Sequence, residues 1–257
     1  PTRRSSDLIG MAFFASLATL WPYYLTPSLK NYDFDNMDGG GWQSFYNSLK
    51  MAGMTAVVGT ALVFIGAYLV EKTKGLHTGR FIFQLLALLP LAVPGIVLGL
   101  GYIFFFNAPS NPASFIYGTM AILVLCTVAH FYSVAHLTAV TALKQLDQEI
   151  ETVSASLRVP FFRTFLLVTL PVCLPAVLDI AMYLFVNALT TVSAVVFLYA
   201  PETTLASIAV LNMDDAGDVA PAAAMAMTIF FAATLVRVLY ILLTRSVLGR
   251  TQAWRRR

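Results

Sequence analysis

The chain has 257 residues, of which 58% are hydrophobic and only 11% are charged, and its net charge is +3. A soluble domain carries about 25% charged residues, so this composition excludes a water-soluble globular domain. The mean hydropathy of +0.76 instead favours several apolar helices that cross a hydrocarbon core of about 30 Å. The two cysteines, Cys126 and Cys173, lie in apolar runs without metal-ligand or redox spacing, so both are predicted to be buried in the packing.

The first eight residues, PTRRSSDL at positions 1–8, lack an apolar h-region and a cleavage site. We predict a non-native leader rather than a signal peptide and leave it out of the fold. Six apolar segments follow and predict an all-α membrane protein with six transmembrane helices in one domain. Their bounds are 9–29, 47–70, 82–106, 116–140, 173–199 and 220–244. The first contains Trp21-Pro22-Tyr23-Tyr24, an aromatic run typical of a membrane interface.

The third segment is rich in glycine and proline. Gly95 and Gly99 form a GxxxG pattern, which allows another helix to approach closely. These two glycines are therefore predicted to be helix-packing positions.

The segments between the predicted helices alternate in charge. Basic residues are concentrated in segments 71–81 and 141–172 and in the tail at 246–257, whereas segments 30–46 and 200–219 are mainly acidic. Lys and Arg mark the cytoplasmic side of a membrane protein. The pattern predicts a multi-pass protein of the bacterial inner membrane with both termini in the cytoplasm.

The long segment 141–172 reads as a two-helix elbow. Lys144 to Leu157 has apolar residues at helical spacing, Pro160 interrupts it, and a second helix is predicted from Phe161 to Val168. Exposed aromatic residues on such an elbow suit a groove on a soluble partner. A connector that lies on the membrane surface is the alternative, and the residues alone leave both open.

The same segment resembles the coupling loop of binding-protein-dependent permeases of ATP-binding-cassette transporters. The matching residues are Leu146, Asp147, Glu151, Leu157, Phe165, Thr169, Leu170 and Pro171. Arg158 departs from the usual glycine, so Pro160 is expected to make the tight turn instead. Asn47-Ser48-Leu49 and the run LLPLAVPGIVLGLGY also match, so the resemblance covers residues 45–245.

The resemblance implies a six-helix permease fold of the MetI type and a transport subunit that is not an enzyme and holds no cofactor or metal. It implies cytosolic ATPase subunits that dock on the loop and a periplasmic substrate-binding protein. It also implies a second permease unit, which is a second copy, a homologous subunit or a missing half of the same chain. The residues that would couple to the ATPase are Asp147, Glu151, Leu157, Arg158, Phe161, Phe162, Phe165 and Pro171.

Residues 151–227 resemble permeases for 2-aminoethylphosphonate. The resemblance therefore implies import of this or a related small phosphonate. Permeases for ferric iron, thiamine or polyamines have a similar architecture and are the alternatives.

The fifth segment is predicted to line the translocation pathway. At 100° per residue, its polar residues fall on one face, opposite apolar residues that include Ala188 and Val192. The polar stripe consists of Asp179, Tyr183, Asn187, Thr190 and Ser193. Polar groups in a bilayer face the bundle interior or a hydrated cavity, although hydrogen bonding between helices is an alternative role.

Arg237 in the sixth segment is a charged residue within a predicted span, where an unpaired charge is costly. Arg237 lies at a depth similar to that of Asp179. An ion pair between them and snorkelling of Arg237 to the headgroups are both open.

Rival function classes find little support in the sequence. His130 and His136 are six residues apart and so lie on different faces of a helix, which disfavours a shared metal. GxSxG, HExxH and GxxxxGK[ST] patterns are absent from the sequence, so neither hydrolase chemistry nor an ATPase within this chain is predicted. A passive channel would have no use for a docking elbow, and no nucleic-acid partner is expected.

Overall fold

The computed structural model describes residues 2–36, 40–72, 77–147 and 149–251. Their helices are α1 Thr2–Leu17, α2 Gly41–Lys72, α3 His77–Ala92, α4 Gly95–Phe106, α5 Met120–Lys144, α6 Glu149–Ser156, α7 Phe161–Thr164, α8 Leu170–Val172, α9 Leu174–Thr190, α10 Ala206–Asp215 and α11 Val219–Thr251. A two-stranded antiparallel hairpin, β1 Ala18–Leu20 and β2 Tyr24–Pro27, follows α1.

Among the described residues, three helices are long and apolar enough to cross a membrane: α2, α5 and the Val219–Thr244 part of α11. Two bent pairs raise this number to five if each counts as one span. The pair α3 and α4 bends by 112°, and the pair Phe161–Val172 and Leu174–Thr190 bends by 77°. The structure thus shows a helical membrane fold with three to five candidate spans rather than six straight ones.

The predicted first span, 9–29, is wrong as a continuous helix. Helix α1 ends at Leu17, and the rest of the segment forms the β1–β2 hairpin around Trp21-Pro22. Proline cannot donate a backbone hydrogen bond within a helix. The Thr19 hydroxyl donates to the backbone carbonyl of Thr26 at 2.8 Å across the two strands, so the hairpin satisfies polar groups that a broken helix would leave open.

The core is built around α2, which packs along α5 and α9. Buried residues of α2, α5, α9, α10 and α11 form its main cluster, with Met51, Leu123, Leu189, Ile208 and Met225 as members. A second cluster lies at the other end of α2 and contains Phe64, Tyr68, Ala139, Leu143 and Ile180. Helix α11 packs mainly on α1 and α10, and most of its surface is exposed in the isolated chain.

Side chains at the start of α2 fix its position relative to the segment before α10. The Asn47 amide donates to the backbone carbonyls of Glu202 and Thr204 at 2.9 and 3.0 Å. The Ser48 hydroxyl accepts the N–H of Ala206 at 2.8 Å. These bonds satisfy backbone groups near the beginning of α10, which explains a structural role for the Asn47-Ser48 pair.

Candidate transport groove and coupling elbow

A groove of about 820 Å³ runs between α9 and α11, with α10 at one side. Four of the five predicted pathway residues line it: Asp179, Tyr183, Asn187 and Thr190. Its remaining walls are largely apolar, with Met182, Val186, Val210, Ile229, Phe230, Ala233 and Val238 among them. Polar residues therefore form a stripe along one wall of an otherwise apolar groove.

The fifth predicted residue, Ser193, does not line the groove. Helix α9 ends at Thr190 and residues 191–200 turn away, so the helical periodicity no longer applies there. The Ser193 hydroxyl lies against Gly95 instead. For the same reason Val192, which was predicted on the opposite face, lines the groove.

Polar side chains of the stripe make their hydrogen bonds within α9. The Asn187 amide donates to the backbone carbonyl of Tyr183 at 2.8 Å, and the Thr190 hydroxyl donates to that of Val186 at 3.1 Å. These bonds do not bridge two helices. The arrangement thus favours a lining role over interhelical hydrogen bonding for Asn187 and Thr190.

A charged cluster lines the end of the groove that is nearest the elbow in the chain. Asp179 on α9 and Arg237 on α11 both line it. The Tyr240 hydroxyl donates to Oδ1 of Asp179, and the Arg237 guanidinium carbon lies 5.9 Å from the centre of the Tyr240 ring. Tyr240 thus contacts both charged groups, in place of the direct ion pair considered from the sequence. The sequence could have indicated the contact of Tyr240 with Arg237, because the two residues are three positions apart and so lie on the same face of a helix.

Residues 145–172 form the elbow, which contains two helical segments. Helix α6 spans Glu149–Ser156, and the Asp147 carboxylate accepts the N–H of Glu149 at 3.0 Å. Asp147 therefore caps the first elbow helix. The second predicted helix, Phe161 to Val168, lies within a helical segment that runs from Phe161 to Val172 and contains a π-helical turn at Phe165–Thr169. The side chain of Glu151 lies outside the described part of the structure.

Arg158, not Pro160, makes the turn between the elbow helices. Its φ angle is 54°, in the left-handed region that glycine adopts most easily. The N–H of Val159 donates to the Ser154 carbonyl at 2.9 Å, which closes a Schellman-type helix end. The expectation that Pro160 replaces the usual glycine is therefore wrong, because the backbone keeps the glycine-like conformation with an arginine.

Aromatic residues of the elbow divide between two roles. The Tyr68 ring on α2 lies 4.8 Å from that of Phe161 and 4.6 Å from that of Phe165, measured between ring centres. Phe165 also contacts Phe64. These two phenylalanines thus anchor the elbow to α2. Phe161 is also 46% exposed, and the contact of either residue with an ATPase stays a prediction.

The outer surface of the elbow keeps an apolar crest, which we define as Val153, Leu157 and Phe162. Their side chains are 55%, 70% and 60% exposed, respectively. Pro171 lies in α8, just before α9 begins at Leu174. The crest is one exposed apolar part of the elbow, and Leu166 and Leu167 are also exposed, at 52% and 74%.

The two glycines of α4 face the segment that follows α9. A β-carbon at position 99 would lie 2.7 Å from the carbonyl oxygen of Ala194, and one at position 95 would meet the Ser193 hydroxyl and the His130 ring. The close approach is thus to a non-helical turn and a side chain of α5, rather than to the helix expected from the GxxxG pattern.

A bent-helix membrane fold with a lengthwise groove and an anchored elbow defines a class of membrane-embedded transport component. The family described as "Binding-protein-dependent transport system inner membrane component" matches residues 65–249. The chain belongs to this family.

Individual relatives carry different substrate names. The chain is 31% identical over 214 residues to the ferric transport system permease protein FbpB of Actinobacillus pleuropneumoniae, an alignment that takes in 82% of this chain and 30% of the relative. The chain thus spans less than a third of that relative's length. It is 25% identical over 250 residues to PhnV of Salmonella choleraesuis, a proposed 2-aminoethylphosphonate transport system permease protein, with 96% and 88% covered.

Among solved structures, the fold is similar to that of a chain from a bacterial ABC transporter involved in the import of the acidic polysaccharide alginate. The TM-score is 0.77 at 12% identity, and the overlap covers 95% of this chain and 90% of the other. At this identity the likeness describes the fold alone.

Proposed function

We propose that this chain is the membrane-embedded permease unit of an ATP-driven, binding-protein-dependent importer. The observation that carries the proposal is the elbow, because its inner aromatics anchor it to α2 while its apolar crest faces outward. An exposed, pre-formed apolar ridge suits a groove on a soluble partner. Family membership supports the same conclusion, since its members are inner-membrane transport components rather than enzymes.

The assembly that we propose has three further kinds of component. An ATPase subunit docks on the crest, a second permease unit completes the pathway beside the α9–α11 groove, and a periplasmic binding protein delivers the solute. The basic elbow region and tail support a cytoplasmic position for the elbow and for both termini. The 200–219 segment is acidic, with Glu202, Asp214, Asp215 and Asp218, which supports a position on the opposite side.

Two substrates are supported by different observations. Ferric ion is supported by the higher identity, 31% against 25%. 2-Aminoethylphosphonate is supported by an alignment that covers 88% of that relative against 30% for the ferric one, and by the cation of Arg237 in the groove. We favour the phosphonate, and ferric ion is the second candidate. The experiment that decides between ferric ion and 2-aminoethylphosphonate measures the uptake of each one by vesicles that contain the assembled transporter, with and without ATP. Uptake without ATP would instead indicate a passive channel.

Docking on the elbow is tested by Phe162→Ala in the transporter purified from membranes. An anchor of this kind contributes roughly 2 kcal/mol or more to an interface, so the variant should retain at least tenfold less ATPase after washing while it still inserts. Phe115→Ala is the matched control, because Phe115 is 77% exposed and lies far along the chain from the elbow. Glu151→Lys, in the family-like position, should lose ATP-driven uptake. If Phe162→Ala keeps as much bound ATPase as Phe115→Ala, the docking site lies elsewhere.

A further inference from the structure

The charged end of the groove holds opposite charges that do not neutralise each other directly. Asp179 and Arg237 are both exposed to the same groove, and each contacts Tyr240 rather than the other. Tyr240 takes Oδ1 of the carboxylate, whereas a carboxylate has a second oxygen that can accept hydrogen bonds. The guanidinium has five N–H donors, and contact with the ring face uses none of them.

This arrangement selects against ligands with a single charge. A plain cation that approaches Asp179 is repelled by Arg237, and a plain anion that approaches Arg237 is repelled by Asp179. A short molecule with an amine at one end and an oxyanion at the other meets both groups with favourable charge. The planar guanidinium matches the oxygens of a phosphorus oxyanion in a bidentate manner.

We propose that the charged end of the groove binds an aminoethyl group linked to a phosphorus oxyanion, with the amine at Asp179 and the phosphonate or phosphate at Arg237. Tyr240 is the positioning residue, because it holds the carboxylate and prevents collapse into a direct ion pair. Two sources carry this chemistry. One is free 2-aminoethylphosphonate, in which case the inference rests on the proposed importer function. The other is the headgroup of phosphatidylethanolamine, whose acyl chain would follow the apolar walls.

Equilibrium binding to the purified full chain in detergent tests the proposal, and it needs neither ATP nor an ATPase. A negative binding result would therefore not contradict the proposed importer function, which ATP-dependent uptake tests separately. The probes are 2-aminoethylphosphonate and ethylphosphonate, which lacks the amine. Loss of one charge-assisted contact costs about 1.5–3 kcal/mol, or roughly tenfold or more in affinity. The amine-bearing probe should therefore bind about tenfold more tightly.

Three variants assign the contacts. Asp179→Asn should abolish the difference between the two probes, and Arg237→Gln should weaken both about tenfold. Tyr240→Phe keeps the ring but loses the hydroxyl, so the freed carboxylate should pair with Arg237 and weaken the amine-bearing probe. Arg80→Gln is the matched control, because Arg80 lies on α3 and is not among the groove-lining residues.

A lipid arm distinguishes the two sources. Native mass spectrometry of the chain from phosphatidylcholine nanodiscs, with or without phosphatidylethanolamine, measures which lipid is retained. Selective retention of phosphatidylethanolamine that is lost in Asp179→Asn identifies the headgroup, whereas selective binding of the soluble probe identifies the solute. Equal binding of the two soluble probes together with no preference among lipids would overturn the proposal, and so would an unchanged preference in Asp179→Asn.

Discussion

Replacement of Asn47 by alanine tests the tie between α2 and the segment that leads into α10. The Asn47 side chain is 5% exposed and donates to the carbonyls of Glu202 and Thr204. Each bond contributes about 1 kcal/mol net, and a buried acceptor without a partner costs about 1–3 kcal/mol. We expect Asn47→Ala to lower the free energy of unfolding by about 2–4 kcal/mol, with the two carbonyls partly relaxed.

Reversible unfolding in mixed micelles of SDS and a mild detergent measures this difference. Asn111→Ala is the control, because Asn111 makes the same kind of bond, to Phe105 at 2.7 Å, in an exposed local turn. A change within about 1 kcal/mol is expected there, since water replaces the lost partner. An equal loss of unfolding free energy in both variants would refute the reasoning, because it would show that burial of the carbonyls near α10 does not increase the cost of losing their donor.

Three further changes test the elbow, the close packing and the groove. Arg158→Gly should stabilise the elbow by about 1 kcal/mol, because a left-handed conformation costs an L-residue about 1–2 kcal/mol. The expected result is slower proteolysis of segment 141–172, and faster cleavage would contradict the prediction. Gly99→Ala should destabilise the fold by about 1–3 kcal/mol through overpacking. Gly101→Ala, with nothing within 4 Å of the added carbon, should be neutral or mildly stabilising in the same thermal melts. Equal effects of the two variants would argue against the close approach of the Ala194 carbonyl to Gly99. Asn187→Cys should react with a water-soluble thiol reagent while the buried Ala188→Cys does not, and the reverse result would place the groove on the other face of α9.

Much of the fold could be predicted because lipid exposure demands long apolar segments. The runs that became α2, α5 and α11 are visible from hydropathy alone. The hairpin after Leu17 and the 112° bend between α3 and α4 were not predicted, because apolar composition is the same in a straight span and a broken one. Proline marked both places, but a single proline is compatible with a kink as well as with a break.

The groove could be predicted only as far as one helix continues. Asp179 to Thr190 obey the helical period, and the period no longer applies at Ser193 because α9 ends at Thr190. Tyr240 was missed because its role depends on a contact between two helices that are far apart in the chain. At the elbow, the family-like pattern located the turn, but it could not show that Arg158 adopts a glycine-like φ angle.

The packing of the helices connects the elbow to one wall of the groove. Contacts of the Phe161 and Phe165 rings with Tyr68 join the elbow to α2. Helix α2 is in turn packed along α5 and α9, whereas α11 packs mainly on α1 and α10. The elbow is therefore connected through α2 to α9, which forms one wall of the groove, whereas α11, the other wall, contacts α9 less extensively than α2 does. We therefore expect a displacement of the elbow to move α9 more than α11 and so to change the width of the groove between them.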